Sequence, residues 1–349
     1  MKSWWIYRGQ GSAQERRDLL RTLEAPPWRA FDGVVDPLYQ PPGPHGPAWA
    51  RTLQRSAGYV SDESETDAVN TALYLRRPLL VTGRPGVGKS TLASDIAADL
   101  ALGPVLHWPI TSRSTRRDGL YLYDAISRLQ DANLERMRTP RRAPGNPKDP
   151  HRQSIEPYLT LGPLGTALIA QELPRVLLID EIDKSDLDLA GDLLTLFEDG
   201  AFEIPELARI AAAHRSIRIP TGDGPEHGVT VEAGRIQCRA FPIVIMTSNG
   251  DRDFPAPFLR RCVQLKMEQP SEEKLKQIVR HRLGIDVDTE PQYRDLIESF
   301  LSRNSAGDLA TDQLLNAIQL RVGGAWSDQA DQQRFLDLVM HPLTGREQV

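Results

Sequence analysis

The sequence predicts an α/β fold, a parallel sheet flanked by helices with a smaller helical lobe after it. Three observations predict it. Short apolar runs recur between helical stretches over residues 57–268, the alternation expected of a parallel sheet. One run, Pro78–Thr82, opens into a glycine-rich loop and then into residues of helical spacing. Beyond about Pro270 the apolar residues recur at helical intervals. The chain therefore divides into an N-terminal segment (1–56), an α/β core (57–268) and a helical lobe (269–349).

The N-terminal segment differs from the rest. Trp4, Trp5, Trp28 and Trp49, four of the six tryptophans, lie here among Pro26, Pro27, Pro41, Pro42 and Pro44. Proline resists regular structure, and large aromatics on an extended segment need a surface to bury them. That surface is either the chain's own domain or a neighbouring subunit or partner, and the sequence leaves both open.

In the core, the strand candidates are Leu79–Thr82, Val105–Ile110, Val176–Asp180, Ile243–Ser248 and Val263–Met267. The loop after the first reads Gly83-Arg84-Pro85-Gly86-Val87-Gly88-Lys89-Ser90, followed by Thr91, and fits the P-loop pattern at every fixed position. Glycines let successive N–H groups turn inward on phosphates, and the following helix N-terminus adds positive potential. ATP is the expected ligand: Lys89 reaches the β/γ-phosphates and the Ser90 hydroxyl holds Mg²⁺. The run Val176–Ile179 ends in Asp180 and Glu181. A strand buried on both faces emerges at the carboxyl edge of the sheet, where ligands bind. There Asp180 is expected to complete the Mg²⁺ shell and Glu181 to polarise the attacking water.

Two insertions interrupt the alternation. Residues 139–157 are rich in Pro, Arg and Gly, and Arg136, Arg138, Arg141, Arg142, Lys148 and Arg152 concentrate charge in and just before them. This is either a solvated excursion or a contact for an acidic partner or nucleic acid. Residues 216–241 alternate between Gly/Pro turns and read as inserted β-hairpins. In the last lobe, Ser271 precedes Glu272 and Glu273, an N-cap with acids in the first turn.

Composition excludes several classes. A net charge of −5 argues against a generally nucleic-acid-coated surface, though not against a local basic groove. No apolar run reaches membrane-spanning length, and the N-terminus lacks a signal-peptide core, so a cytoplasmic protein without membrane insertion is expected. Cys238 and Cys262 are isolated and read as buried thiols, and the seven histidines show no metal-ligand spacing.

The order of motifs resembles the AAA+ ATPases, and within them the MoxR group, over about Tyr59 to the C-terminus. The segments that carry it are GRPGVGKST, LLIDEIDKSD, IVIMTSN and FPAPFLRRC. The resemblance implies that Asn249 is a sensor residue orienting the attacking water. It places Arg260 and Arg261 at the arginine-finger position, Arg261 matching better because it is nearer the closing strand. It also implies a homo-oligomeric ring, a hexamer, with ATP between subunits. Many relatives carry an arginine early in a lid helix; here that stretch, Asp308–Leu315, has none, and Arg303 or Arg321 stand elsewhere. Trp108–Thr115, Asp118–Tyr121 and Gly162–Leu164 resemble a MoxR-like subgroup of bacterial conflict and defence clusters, found beside von Willebrand factor A partners.

The leading expectation is a ring-forming ATPase that remodels or activates a protein partner, in the setting of antiphage defence. The alternatives are a nucleic-acid motor or McrB-like GTPase, supported by the basic region alone, and a nucleotide-gated scaffold with little hydrolysis. Intact Glu181 argues against the scaffold; the missing lid arginine argues for it.

Overall fold

A computed structural model describes residues 2–138, 155–304, 309–324 and 336–340. Its strands are β1 (Leu79–Thr82), β2 (Leu106–Pro109), β3 (Tyr121–Tyr123), β4 (Leu159–Leu161), β5 (Val176–Asp180), β6 (Ala201–Glu203), β7 (Ser216–Thr221), β8 (Gly224–Glu232), β9 (Arg235–Gln237), β10 (Ile243–Ser248) and β11 (Val263–Lys266). Five of them form one parallel sheet in the order β11-β1-β10-β5-β2. These are the five runs expected from the sequence.

The sheet is buried on both sides, which explains why its strands read as unbroken apolar runs. Leu79, Val81, Val176, Leu178, Ile243 and Ile245 face one cluster, with Leu92 and Ile96 of the helix Lys89–Asp99. Leu80, Leu177, Ile179, Val244 and Met246 face the other, with Leu193 and Phe197 of the helix Leu187–Asp199. The alternation follows the two-residue period of a strand. Each fully buried Leu or Ile contributes roughly 2 kcal/mol of transfer free energy, so the layering is set mainly here.

The insertion at 216–241 is part of a larger antiparallel sheet, order β6-β9-β8-β7, whose first strand begins at Ala201. The turn between β7 and β8 is fastened to the base of the core. There Arg175 and Asp223, both buried, form two hydrogen bonds of 2.8 Å each. A further antiparallel pair, β3 with β4, was not expected. Three residues per strand carry too little periodicity to be read. The basic residues after Arg138, 139–154, lie outside the described residues.

The N-terminal segment packs on its own core. Ile6 and Tyr7 are buried, the Tyr7 hydroxyl donates to Asp95 (2.5 Å), and Arg8 bonds the same carboxylate (2.7 Å). Trp5 Nε1 donates to Asp67 (2.8 Å). Further on, Phe31 stacks on Phe241, Gly33 N–H donates to the Cys238 carbonyl (3.1 Å), and Thr230 N–H donates to Asp36 (2.8 Å). Cys238 and Cys262 are free and buried, and burial pushes both thiols up to about 12. The C-terminal lobe holds helices Glu272–Leu283, Pro291–Arg303 and Thr311–Val322 around Leu275, Leu296, Phe300, Leu314 and Ile318. Asp308, in the stretch compared with lid arginines, lies outside the described residues. Among the described residues no helix is long and apolar enough to cross a membrane.

Candidate nucleotide site

The site lies at the carboxyl ends of β1, β5 and β10. Leaving β1, the chain turns at Gly83 (φ +153°), where a Cβ would stand 2.5 Å from the Met267 carbonyl oxygen. Gly88 (φ +102°) caps the helix Lys89–Asp99. A left-handed backbone at these points favours glycine, the physical content of the motif. The Lys89 ammonium donates to the carbonyls of Gly83 (2.7 Å) and Arg84 (2.9 Å) and to Asn249 Oδ1 (2.8 Å). Burial pushes it below its ordinary value against the pull of Asp183, Asp180 and Glu181.

β10 runs between β1 and β5, so the ends of all three strands converge. The Ser90 hydroxyl donates to Asp180 Oδ1 (2.7 Å), and Thr247 Oγ1 donates to the same oxygen (2.6 Å). Thr247 Oγ1 in turn accepts the Glu181 N–H (2.9 Å), holding the strand exit where Glu181 turns left-handed (φ +59°). His107 Nε2, on the neighbouring β2, lies 3.3 Å from Asp180 Oδ2. Burial alone would raise the Asp180 carboxyl; hydrogen bonds with His107, Thr247 and Ser90 outweigh it and hold it down to about 2. The Glu181 carboxylate pairs with Lys184 (2.5 Å).

Asn249 is placed by a residue not singled out from the sequence. Buried Asp183 accepts the N–H groups of Asn249 (2.8 Å), Gly250 (3.1 Å) and Asp251 (3.2 Å) on one oxygen. This carboxylate fixes the loop after β10 and thereby the amide that meets Lys89. Thr247, His107 and Asp183 all act through neighbours far along the chain. Thr247 and Asp183 lie within the quoted segments IVIMTSN and LLIDEIDKSD, whereas His107 left no signal.

These groups border a cleft of about 890 Å³ between core and lobe. Pro85, Gly86, Val87, Gly88, Lys89, Ser90 and Thr91 line its phosphate end with Asp180, Glu181 and Asn249. Gly83 and Arg84 stand behind it and contribute carbonyls to Lys89. Tyr59, Val60, Ile278 and Leu315 also line it and add apolar surface. The size suits a small-molecule site, and the loop glycines, the buried ammonium and the adjoining Ser90–Asp180 pair fit a magnesium nucleotide. Magnesium, when bound with the nucleotide, would be held by Ser90 and Asp180 and would neutralise charge on the β- and γ-phosphates.

The lobe also meets the phosphate loop and the N-terminal segment at this cleft. Gly86 (φ +76°) approaches Ala310 so closely that a Cβ would stand 2.1 Å from the Ala310 Cβ, and Thr311 N–H donates to the Gly86 carbonyl (3.4 Å). Arg282 also lines the cleft while donating to the carbonyls of Gln54 (3.4 Å) and Arg55 (3.1 Å). Among the described residues the cleft-lining arginine of the lobe is Arg282; neither Arg303, paired with Asp337 (2.8 Å), nor Arg321 lines it.

Arg260 and Arg261 are not brought to this cleft. They end the short helix Ala256–Leu259 ahead of β11. Half-buried Arg261 bonds Glu198 through Nε (3.0 Å) and the Pro257 carbonyl (3.3 Å). Arg260 is exposed.

A parallel sheet with a phosphate loop after β1 and an acidic pair after β5 defines a P-loop nucleotide-binding protein. Residues 78–262, over half of the chain, match the model of the AAA domain of the dynein-related subfamily, and the chain belongs to that AAA family. The family supports an ATP-driven activity. No curated protein matches the chain.

Proposed function

We propose that the chain is an ATP-hydrolysing, ring-forming ATPase of the MoxR-like kind that remodels or activates a protein partner. One observation carries the reading. Ser90, Asp180, Thr247 and Glu181 form one hydrogen-bonded group at the cleft and Lys89 with Asn249 a second beside it, while Arg260 and Arg261 stand outside. In this reading Lys89 meets the phosphates, Glu181 polarises water and Asn249 orients it. Glu181 must leave Lys184 to do so. Arg261, or Arg260 beside it, serves the cleft of the next copy, which calls for a ring, a hexamer by the MoxR resemblance. That resemblance also supports a von Willebrand factor A partner and a role in bacterial defence.

The test combines turnover with assembly. Glu181→Gln should keep ATP binding and lose hydrolysis by a factor of about 10² or more. With ATP it should sediment as a closed oligomer that retains a protein client; Lys89→Ala should do neither. Hydrolysis near the parental rate in Glu181→Gln, or a monomer in saturating ATP, would sink the reading.

A further inference from the structure

We infer that the N-terminal strap, through Trp28 and Val34, forms part of the surface that a second copy of this chain covers when it brings its cleft to Arg261. The inference rests on the proposed trans arginine. The strap runs extended after the short turn Pro27–Arg29, and its side chains alternate. Arg29, Phe31 and Gly33 point inward. Arg29 is buried, Phe31 stacks on Phe241, and Gly33 bonds the Cys238 carbonyl. Trp28, Ala30, Asp32 and Val34 face out. Trp28 is 72% and Val34 90% exposed, although both are large and apolar.

The inward side of the strap ties it to the arginine pair. The Arg29 guanidinium donates to the Phe197 carbonyl and lies 3.8 Å from Glu198 Oε1. Arg261 Nε bonds that same Glu198 oxygen at 3.0 Å. Strap and Arg261 therefore meet on one carboxylate, and Trp28 is the residue next to that meeting point in the chain. In the proposed reading neither Arg260 nor Arg261 enters the cleft of its own chain, so the site is complete only when another copy brings its cleft to that pair. The copy that reaches Arg261 must approach the surface around Glu198, and Arg29 anchors the strap beside that carboxylate. A lone exposed apolar residue needs no partner. A tryptophan beside a group that must be covered is a different case, because aromatic anchors at the centre of an interface carry much of its energy.

The experiment is sedimentation of the full chain with ATP across a range of concentrations, using Trp28→Glu, Val34→Glu, Trp28→Phe, Leu19→Glu and Arg261→Ala. Leu19, 53% exposed on the helix Ala13–Thr22, is the control for added charge elsewhere on the segment. Trp28→Glu and Val34→Glu should assemble at least tenfold more weakly than the parent, with unchanged thermal unfolding and unchanged ATP binding per chain. Their hydrolysis should fall at low protein concentration and return at high concentration. Trp28→Phe, Leu19→Glu and Arg261→Ala should assemble as the parent does. Parental assembly by both glutamate variants overturns the inference and leaves the trans arginine standing, provided Arg261→Ala still loses hydrolysis within its assembly. A parent that never assembles with ATP overturns the ring itself, and this inference with it.

Discussion

Gly86 illustrates how one residue of the phosphate loop serves two partners. The P-loop pattern leaves its position free, so the motif alone gives no reason for a glycine there. The structure supplies two: a left-handed backbone (φ +76°) and the Ala310 Cβ, which would lie 2.1 Å from an added methyl. The first costs an alanine about 1 kcal/mol. The second cannot be met without moving the loop or the lobe. Gly86→Ala should therefore fold and raise the Kd for ATP about tenfold or more. Adding Ala310→Gly should recover part of that loss, because it removes the nearer clashing atom. ATP titration of the single and double variants checks this. Unchanged affinity in Gly86→Ala would show that contact with the lobe is not used in binding. Asp180 and Thr247 make a related point about charge. A carboxyl that burial alone would raise stays ionised because three side chains bond it, and two of those, Thr247 and His107, come from other strands.

At the scale of elements, strand order builds the site. Because β10 lies between β1 and β5, Thr247 and Asn249 stand between the phosphate loop and the acidic pair. The five core strands are legible in the sequence because a strand buried on both faces carries no polar residue to break its run. Lys89, Ser90, Asp180 and Glu181 are legible because each sits in a local pattern with its own chemistry. Asp183 and His107 are not, since their roles exist only after distant segments have been set side by side. Arg282 is missed for another reason: it occupies the helix Glu272–Leu283, whereas the resemblance points to the later helix Thr311–Val322. The lobe is also fastened to the core by charge. The Lys274 ammonium bonds buried Glu65 (2.6 Å), whose other oxygen accepts the Tyr59 hydroxyl (2.8 Å) beside the cleft. Burial raises the Glu65 carboxyl, with Lys274 opposing. In Lys274→Met that opposition is lost and a buried carboxylate stays unpaired at neutral pH, at a cost of about 3 kcal/mol. A carboxyl raised in the folded state favours the protonated form, so this group's contribution to folding is present below its unfolded value and is lost as pH rises through its folded value. The ATP affinity of Lys274→Met should thus be poor at pH about 7.5 and improve toward acid more than the parent's does. Parallel pH profiles for the two proteins would show that the pair does not hold the lobe.

The whole molecule poses the question of where the proposed arginine finger acts. Within one chain Arg261 is held on Glu198, outside the cleft that contains Glu181. If the arginine serves a neighbour, the two residues belong to different subunits of one working site, and the consequence is testable by mixing. Arg261→Ala subunits keep a complete cleft. Glu181→Gln subunits keep a complete arginine. Each preparation alone should bind ATP and hydrolyse it poorly, since the arginine acts chiefly on charge that develops in the transition state. In a mixed ring some interfaces join the intact cleft of one variant to the intact Arg261 of the other. Hydrolysis should then rise above the sum of the separate preparations, pass through a maximum with mixing ratio, and fall on dilution as rings dissociate. An arginine acting on its own chain's cleft could not produce this recovery, because every subunit in the mixture would still lack one member of the pair. Mixed rings shown to form without regaining activity would exclude Arg261 as the shared group. The same mixture made with Arg260→Ala then decides between its exposed neighbour and a site complete within one subunit.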